Sequence, residues 1–151
     1  MMIRLSSTEI VTRLRNGLTS TEATIVGKSI STTFIREWDR TAPAVWVMGQ
    51  SSERIDSNGA GVSGVYRQRV RVLIPIRAVV TKFAAGTVEN EAELQALTDK
   101  ILDIMLGWRP TGAAATLSFD SADDGPVFDN ILATDIVLAT ECVLSKNAPV
   151  Y

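Results

Sequence analysis

Apolar residues recur at helical spacing near the start of the chain. Ile10, Val11, Leu14 and Leu18 share one face, with Arg13 and Arg15 off it. Ser6-x-x-Glu9 precedes that stripe as a capping box, and Asn16-Gly17 marks its stop, so a helix is predicted from Ser6 to Leu18. Thr24 to Trp38 follows neither period, and its Ser/Thr enrichment favours extended structure. Ala44-Val45-Trp46-Val47-Met48, after Pro43, predicts a short buried strand. Gln50 to Gly64 is polar and glycine-rich and predicts a long, flexible exposed loop.

The clearest alternation runs from Val65 to about Thr81. Val70, Val72, Ile74 and Ile76 form a buried face, with Arg67, Arg69 and Arg71 on the other. Pro75 has no backbone donor, which predicts an edge strand or a bulge there. A second helix is predicted from Asn90 to Leu106, capped by Asn90, with Leu94, Leu97, Ile101, Ile104 and Met105 as its buried stripe. It ends in Gly107-Trp108-Arg109-Pro110. Gly107 can take the left-handed conformation, Pro110 cannot continue a helix, and Trp108 is placed to fold back over the end.

Thr116 to Phe119 predicts a short strand and Asp120 to Pro126 a turn. In the last long strand, within Asn130 to Ser145, Ile136, Leu138, Thr140, Cys142 and Leu144 share a face. The order α-β-β-β-α-β-β predicts an α+β domain, a mostly antiparallel sheet with two helices packed on one face.

Composition narrows the function. The chain has 151 residues, 46% hydrophobic and 21% charged, which suits one folded domain. The apolar run Val72–Ile76 is far shorter than the roughly 20 residues that cross a bilayer. Cys142 is the sole cysteine, which excludes an intrachain disulfide and fits a reducing cytoplasm. Histidine is absent, which removes Ser-His and Cys-His nucleophile pairs and most zinc sites.

Three fragments imitate binding motifs. Gly27-Lys28-Ser29 ends like a phosphate loop, but Glu22 stands where that loop needs a glycine. Gly59-Ala60-Gly61-Val62-Ser63-Gly64 spells a dinucleotide fingerprint, yet a strand follows it instead of a helix. Asp120 to Gly125 resembles a calcium loop, but Ala122 and Ile131 occupy ligand positions. The reading is of a protein without enzyme activity, cofactor or metal.

The net charge of −2 is unevenly spread. Val65 to Phe83 carries Arg67, Arg69, Arg71, Arg77 and Lys82 without an acid. The chain beyond Thr111 carries Asp120, Asp123, Asp124, Asp129, Asp135 and Glu141 against Lys146. Either the two segments meet between copies, or they neighbour each other in the sheet and neutralise. The arginine row either faces an acidic partner or guards an edge strand against aggregation. An acidic chain with few aromatics favours a protein partner over nucleic acid.

The element order resembles that of the tail terminator (tail completion) proteins of tailed bacteriophages. The resemblance rests on the Ser6–Leu18 helix, the strand Pro43-Ala44-Val45-Trp46-Val47, the basic strand Tyr66 to Val80, the helix end Leu106-Gly107-Trp108-Arg109-Pro110 and the long final strand. It implies a subunit of a homo-hexameric ring in the virion, at the head-tail junction, assembled in the host cytoplasm. Such a ring sits on the tail-tube protein, stops polymerisation and presents a surface to a head-completion or neck protein, with DNA passing through it. Arg54, Arg67, Arg69 and Arg71, with Asp123, Asp124 and Asp129, are then the candidate subunit or partner interface. A head-closure or connector subunit of the phage neck and a small binding module are the competing readings.

Overall fold

The computed structural model describes residues 4–28, 43–55, 65–81, 87–125 and 131–147. Helix α1 spans Ser7–Gly17, and Ser6 caps it by accepting the Glu9 backbone N–H at 3.2 Å. The carboxylate of Glu9 turns outward and accepts from the backbone N–H and hydroxyl of Thr111, both at 3.1 Å. Half of the capping box therefore ties α1 to a distant loop. Arg13 makes a second tie. Its Nε donates to Ile104 O at 2.9 Å, a carbonyl in the last turn of helix α2 (Thr87–Met105) that has no partner further along the helix.

The strands are β1 (Ile25–Lys28), β2 (Ala44–Val47), β3 (Ser51–Arg54), β4 (Val65–Thr81), β5 (Ser118–Asp124) and β6 (Ile131–Asn147). They form one sheet in the order β1-β2-β4-β6-β5, with β3 also paired to β4. Only β1 and β2 run parallel. The α+β architecture follows as expected, with one strand more than the sequence suggests.

The backbone of the sheet is the β4–β6 ladder, from Val65↔Asn147 to Thr81↔Ile131 without a break in register. On one face, Val72, Ile74, Ile76, Ala78 and Val80 of β4 join Ile136, Leu138 and Cys142 of β6 and Val45 and Val47 of β2. The apolar stripes of both helices close over them: Ile10, Val11 and Leu14 from α1, and Leu94, Leu97, Ile101 and Met105 from α2. Gly17 allows the helices to approach, since a Cβ there would stand 2.6 Å from Ile104 Cδ1. Burial pushes the Cys142 thiol above its ordinary pKa, and the residue serves as a small apolar side chain.

Four expectations need correcting. Ser51–Arg54, read as the start of a loop, pairs with β4 from Ser51↔Leu73 to Arg54↔Val70; all four residues are exposed, so no apolar alternation announces the strand. The rest of that loop, 56–64, lies outside the described residues, as does 29–42. Strand β4 is interior, not an edge, and it carries no bulge at Pro75. Pro75 O accepts from Met48 N at 2.9 Å, so its missing N–H faces the seam where β2 gives way to β3 and costs the β6 ladder nothing.

Asn90 is 3% exposed inside α2, not its cap, because the helix begins at Thr87. Finally, Asp120–Asp124 belongs to strand β5 and not to a turn. As an exposed edge strand it has no buried face to set a period.

The end of α2 is as the sequence predicts. Gly107 has φ +81°, and its N–H and that of Trp108 bond to Leu117 O and Met105 O at 3.0 and 3.2 Å. Trp108 packs half-buried against the core, with the Arg13 guanidinium carbon 4.8 Å from the ring centroid. Nothing lies within 4 Å of where a Gly107 Cβ would stand. Gly107→Ala should therefore lose roughly 1–2 kcal/mol from backbone strain alone, read as a lower thermal midpoint.

Candidate interaction surface

Among the described residues no helix packs on the second face of the sheet, where Val79, Ile131 and Ala133 are buried at one end and charges stand in rows fixed by strand register. One row crosses Trp46, Arg77, Asp135 and Asp123. Arg77 Nε and Nη2 donate to the two carboxylate oxygens of Asp135 at 2.5 and 2.8 Å. The Arg77 side chain is 11% exposed, so this fork is the most enclosed ion pair on the face. Asp123 stands directly opposite Asp135, a like-charge placement made tolerable by that arginine.

The next charged row runs from Glu53 through Arg71 to Glu141. Register slips between Phe119 and Ser121, which makes Asp120 the extra residue of a bulge. The bulge turns Asp120 towards Arg71, which pairs with it and, at 3.6 Å, with Glu53. In the following row Ile55 N donates to Arg69 O, and Arg69 lies opposite Val143. The Arg69 guanidinium reaches back to both oxygens of Glu141 at 3.0 and 3.1 Å. Arg67, opposite Ser145, is exposed beyond them.

The structure thus gathers Arg67, Arg69 and Arg71 on one face, as the alternation of β4 requires. It also brings basic and acidic segments together inside the chain: Arg69, Arg71 and Arg77 meet Glu141, Asp120 and Asp135 across the sheet. Of the remaining candidates, Asp123 shares that face, whereas Arg54 and Asp124 oppose Val70 and Thr134 and so point to the other side. Asp129 lies outside the described residues. Asp120, Asp135 and Glu141 belong to the acidic segment expected to neutralise the basic strand if the two are neighbours in the sheet, and they do so. Glu53 and the individual pairings could not be read, because a β4–β6 register spanning an intervening helix leaves no local signal.

The motif imitations resolve structurally where they are described. Gly27-Lys28 lies within β1, and Glu22 accepts the Thr19 N–H at 3.0 Å. That bond and the Thr19 hydroxyl hold the Glu22 carboxyl below its usual pKa. The aspartates of the calcium-like stretch are spread along β5, and no cluster among the described residues could hold a metal ion. The GxGxxG stretch lies outside the described residues. A shallow hollow of about 680 Å³ lies between the helices, lined by Glu9, Arg13, Ile104 and Trp108 among others; its charged groups are already tied to Thr111 and Ile104 O. No helix among the described residues is long and apolar enough to cross a membrane.

What the fold offers is surface: a two-sided sheet with charges locked in rows, suited to contact with other proteins. The family model described as phage tail terminator protein matches residues 3–126, and the chain belongs to that family. Among curated proteins none matches it. Its role is therefore structural, in assembly of the phage tail, and its place is the virion tail among other phage tail and head proteins.

Proposed function

We propose that copies of this chain close into a homo-hexameric ring that caps the phage tail tube, ends its polymerisation and presents the surface that joins the head. The family match over residues 3–126 carries this reading. Capping needs no bond chemistry: a ring whose lower face matches the last tube ring, and whose upper face does not, ends growth by shape alone. A head-to-tail contact repeated through a rotation that closes gives such a ring. The tube protein meets one face, a head-completion or neck protein the other, and DNA passes through the channel.

The test is polymerisation of the cognate tail-tube protein with increasing amounts of this chain, read by negative-stain electron microscopy. Tubes should shorten and carry an added ring at one end. Tubes of unchanged length and bare ends at several-fold molar excess would overturn the reading.

A further inference from the structure

Among the described residues four large apolar side chains are exposed: Ile55 (40%), Leu106 (40%), Phe119 (51%) and Val143 (47%). They fall into two groups of opposite charge. Ile55 and Val143 flank Arg69 in one register row on the face opposite the helix-covered core, at the end of the sheet beyond β5 and β2. Arg67 lies two residues further along β4 on that face, while Arg54, next to Ile55 in the chain, stands at the same end of the sheet on its other side. Among the described residues neither Arg54 nor Arg67 makes an ion pair. This end of the molecule is apolar and cationic.

Phe119 sits on the opposite face. Its register partner is Leu138, whose side chain enters the helix-covered core, yet Phe119 stays half exposed. The reason is the layout: α1 packs by β1 and β2, α2 by β4 and β6, and β5 lies outside both. Beyond the bulge, Ala122 and Asp124 continue the same face of β5. Ile104 turns α2 towards Gly17 of α1. At 100° per residue, Leu106 and Asp99 then project from the other flank of α2, towards β5, with Asp103 beside them. The N–H of Gly107, next to Leu106, bonds Leu117 O just before β5 begins, which fixes α2 to this edge. The result is a shelf with an apolar floor, Leu106 and Phe119, and an acidic rim, Asp99, Asp103 and Asp124, all exposed.

The geometry points to these two surfaces as the halves of one contact: the Ile55–Val143 end of one copy, with Arg54 and Arg67, seats on the Leu106–Phe119 shelf of the next. Each offers an apolar centre and charges of opposite sign. Because the halves are unlike, the contact is head-to-tail, which rings require and twofold dimers do not. This inference rests on the ring reading above and assigns its subunit interface.

The test uses two full-length double variants, Arg54→Glu/Arg67→Glu and Asp103→Arg/Asp124→Arg, examined by mass photometry and negative-stain microscopy beside the wild type. The first carries two acidic surfaces and the second two basic ones. Each alone should lose ring formation by at least tenfold in the concentration required. Mixed in equal amounts, they should recover rings in which the variants alternate, a rescue that misfolded protein cannot give. Wild-type rings together with rings from either variant alone, or with a mixture that stays unassembled, would overturn this interface while leaving the ring intact. A wild type that remains monomeric up to its solubility limit would overturn the ring itself, and this inference with it.

Discussion

Ile74→Ala should destabilise the protein by about 3–4 kcal/mol, a large part of the 5–15 kcal/mol that holds a typical domain. Ile74 is fully buried at the middle of β4, opposite Leu138, in the cluster shared by both helices. Truncation removes apolar atoms from the layer where sheet and helices meet, and the β4–β6 ladder prevents the site from collapsing onto the gap. Urea unfolding at one fixed protein concentration measures this, because assembly would itself shift the midpoint. Ile74→Val serves as the graded control, with a loss of about 1 kcal/mol. Equal midpoints for the alanine and valine variants would show that Ile74 is not at the core.

The second large effect belongs to Asp135→Ala, expected to lose about 2–4 kcal/mol. The change takes two charge-assisted acceptors from a guanidinium whose side chain is 11% exposed. Glu141→Ala is the informative comparison. It removes a carboxylate whose two oxygens share the single Arg69 Nη2, between side chains that are 52% and 36% exposed, so the loss should stay under about 1 kcal/mol. Replacing both members of the enclosed pair, as Arg77→Met/Asp135→Leu, should recover most of the stability, since no charge is then left without its partner. Similar losses for Asp135→Ala and Glu141→Ala would mean that burial does not separate the two pairs.

The long elements were legible because their periods are forced by burial. Alternation from Val70 to Ile76 gave β4 its inner face, the Leu94–Met105 stripe gave α2 its side, and Gly107 could be assigned its left-handed turn from Gly-Trp-Arg-Pro alone. What escaped was polar or long-range. Strands β3 and β5 expose almost every side chain, so their sequences carry turn-like composition and no period. Pro75 suggested an edge because a sequence shows that a donor is missing but not which neighbour it faces. The arginine row was visible, yet its acidic partners depend on how β6 and the β5 bulge register against β4. The exposed Phe119, the one large apolar residue of β5, was the signal for the shelf that went unused.

The β4–β6 ladder also has a temporal consequence. Strand β6 is the last described element of the chain, yet it lies between β4 and β5 and supplies Ile136, Leu138 and Cys142 to the core. During synthesis, β4 emerges long before its principal partner, so its apolar face and open edge must wait, covered only by neighbours that cannot complete the sheet. A nascent chain that stopped at the end of the family match, residue 126, would hold, among the described elements, helices α1 and α2 and strands β1 to β5 around an unfilled slot. Synthesis of β6, then, is the step that fills the slot between β4 and β5 and closes the core.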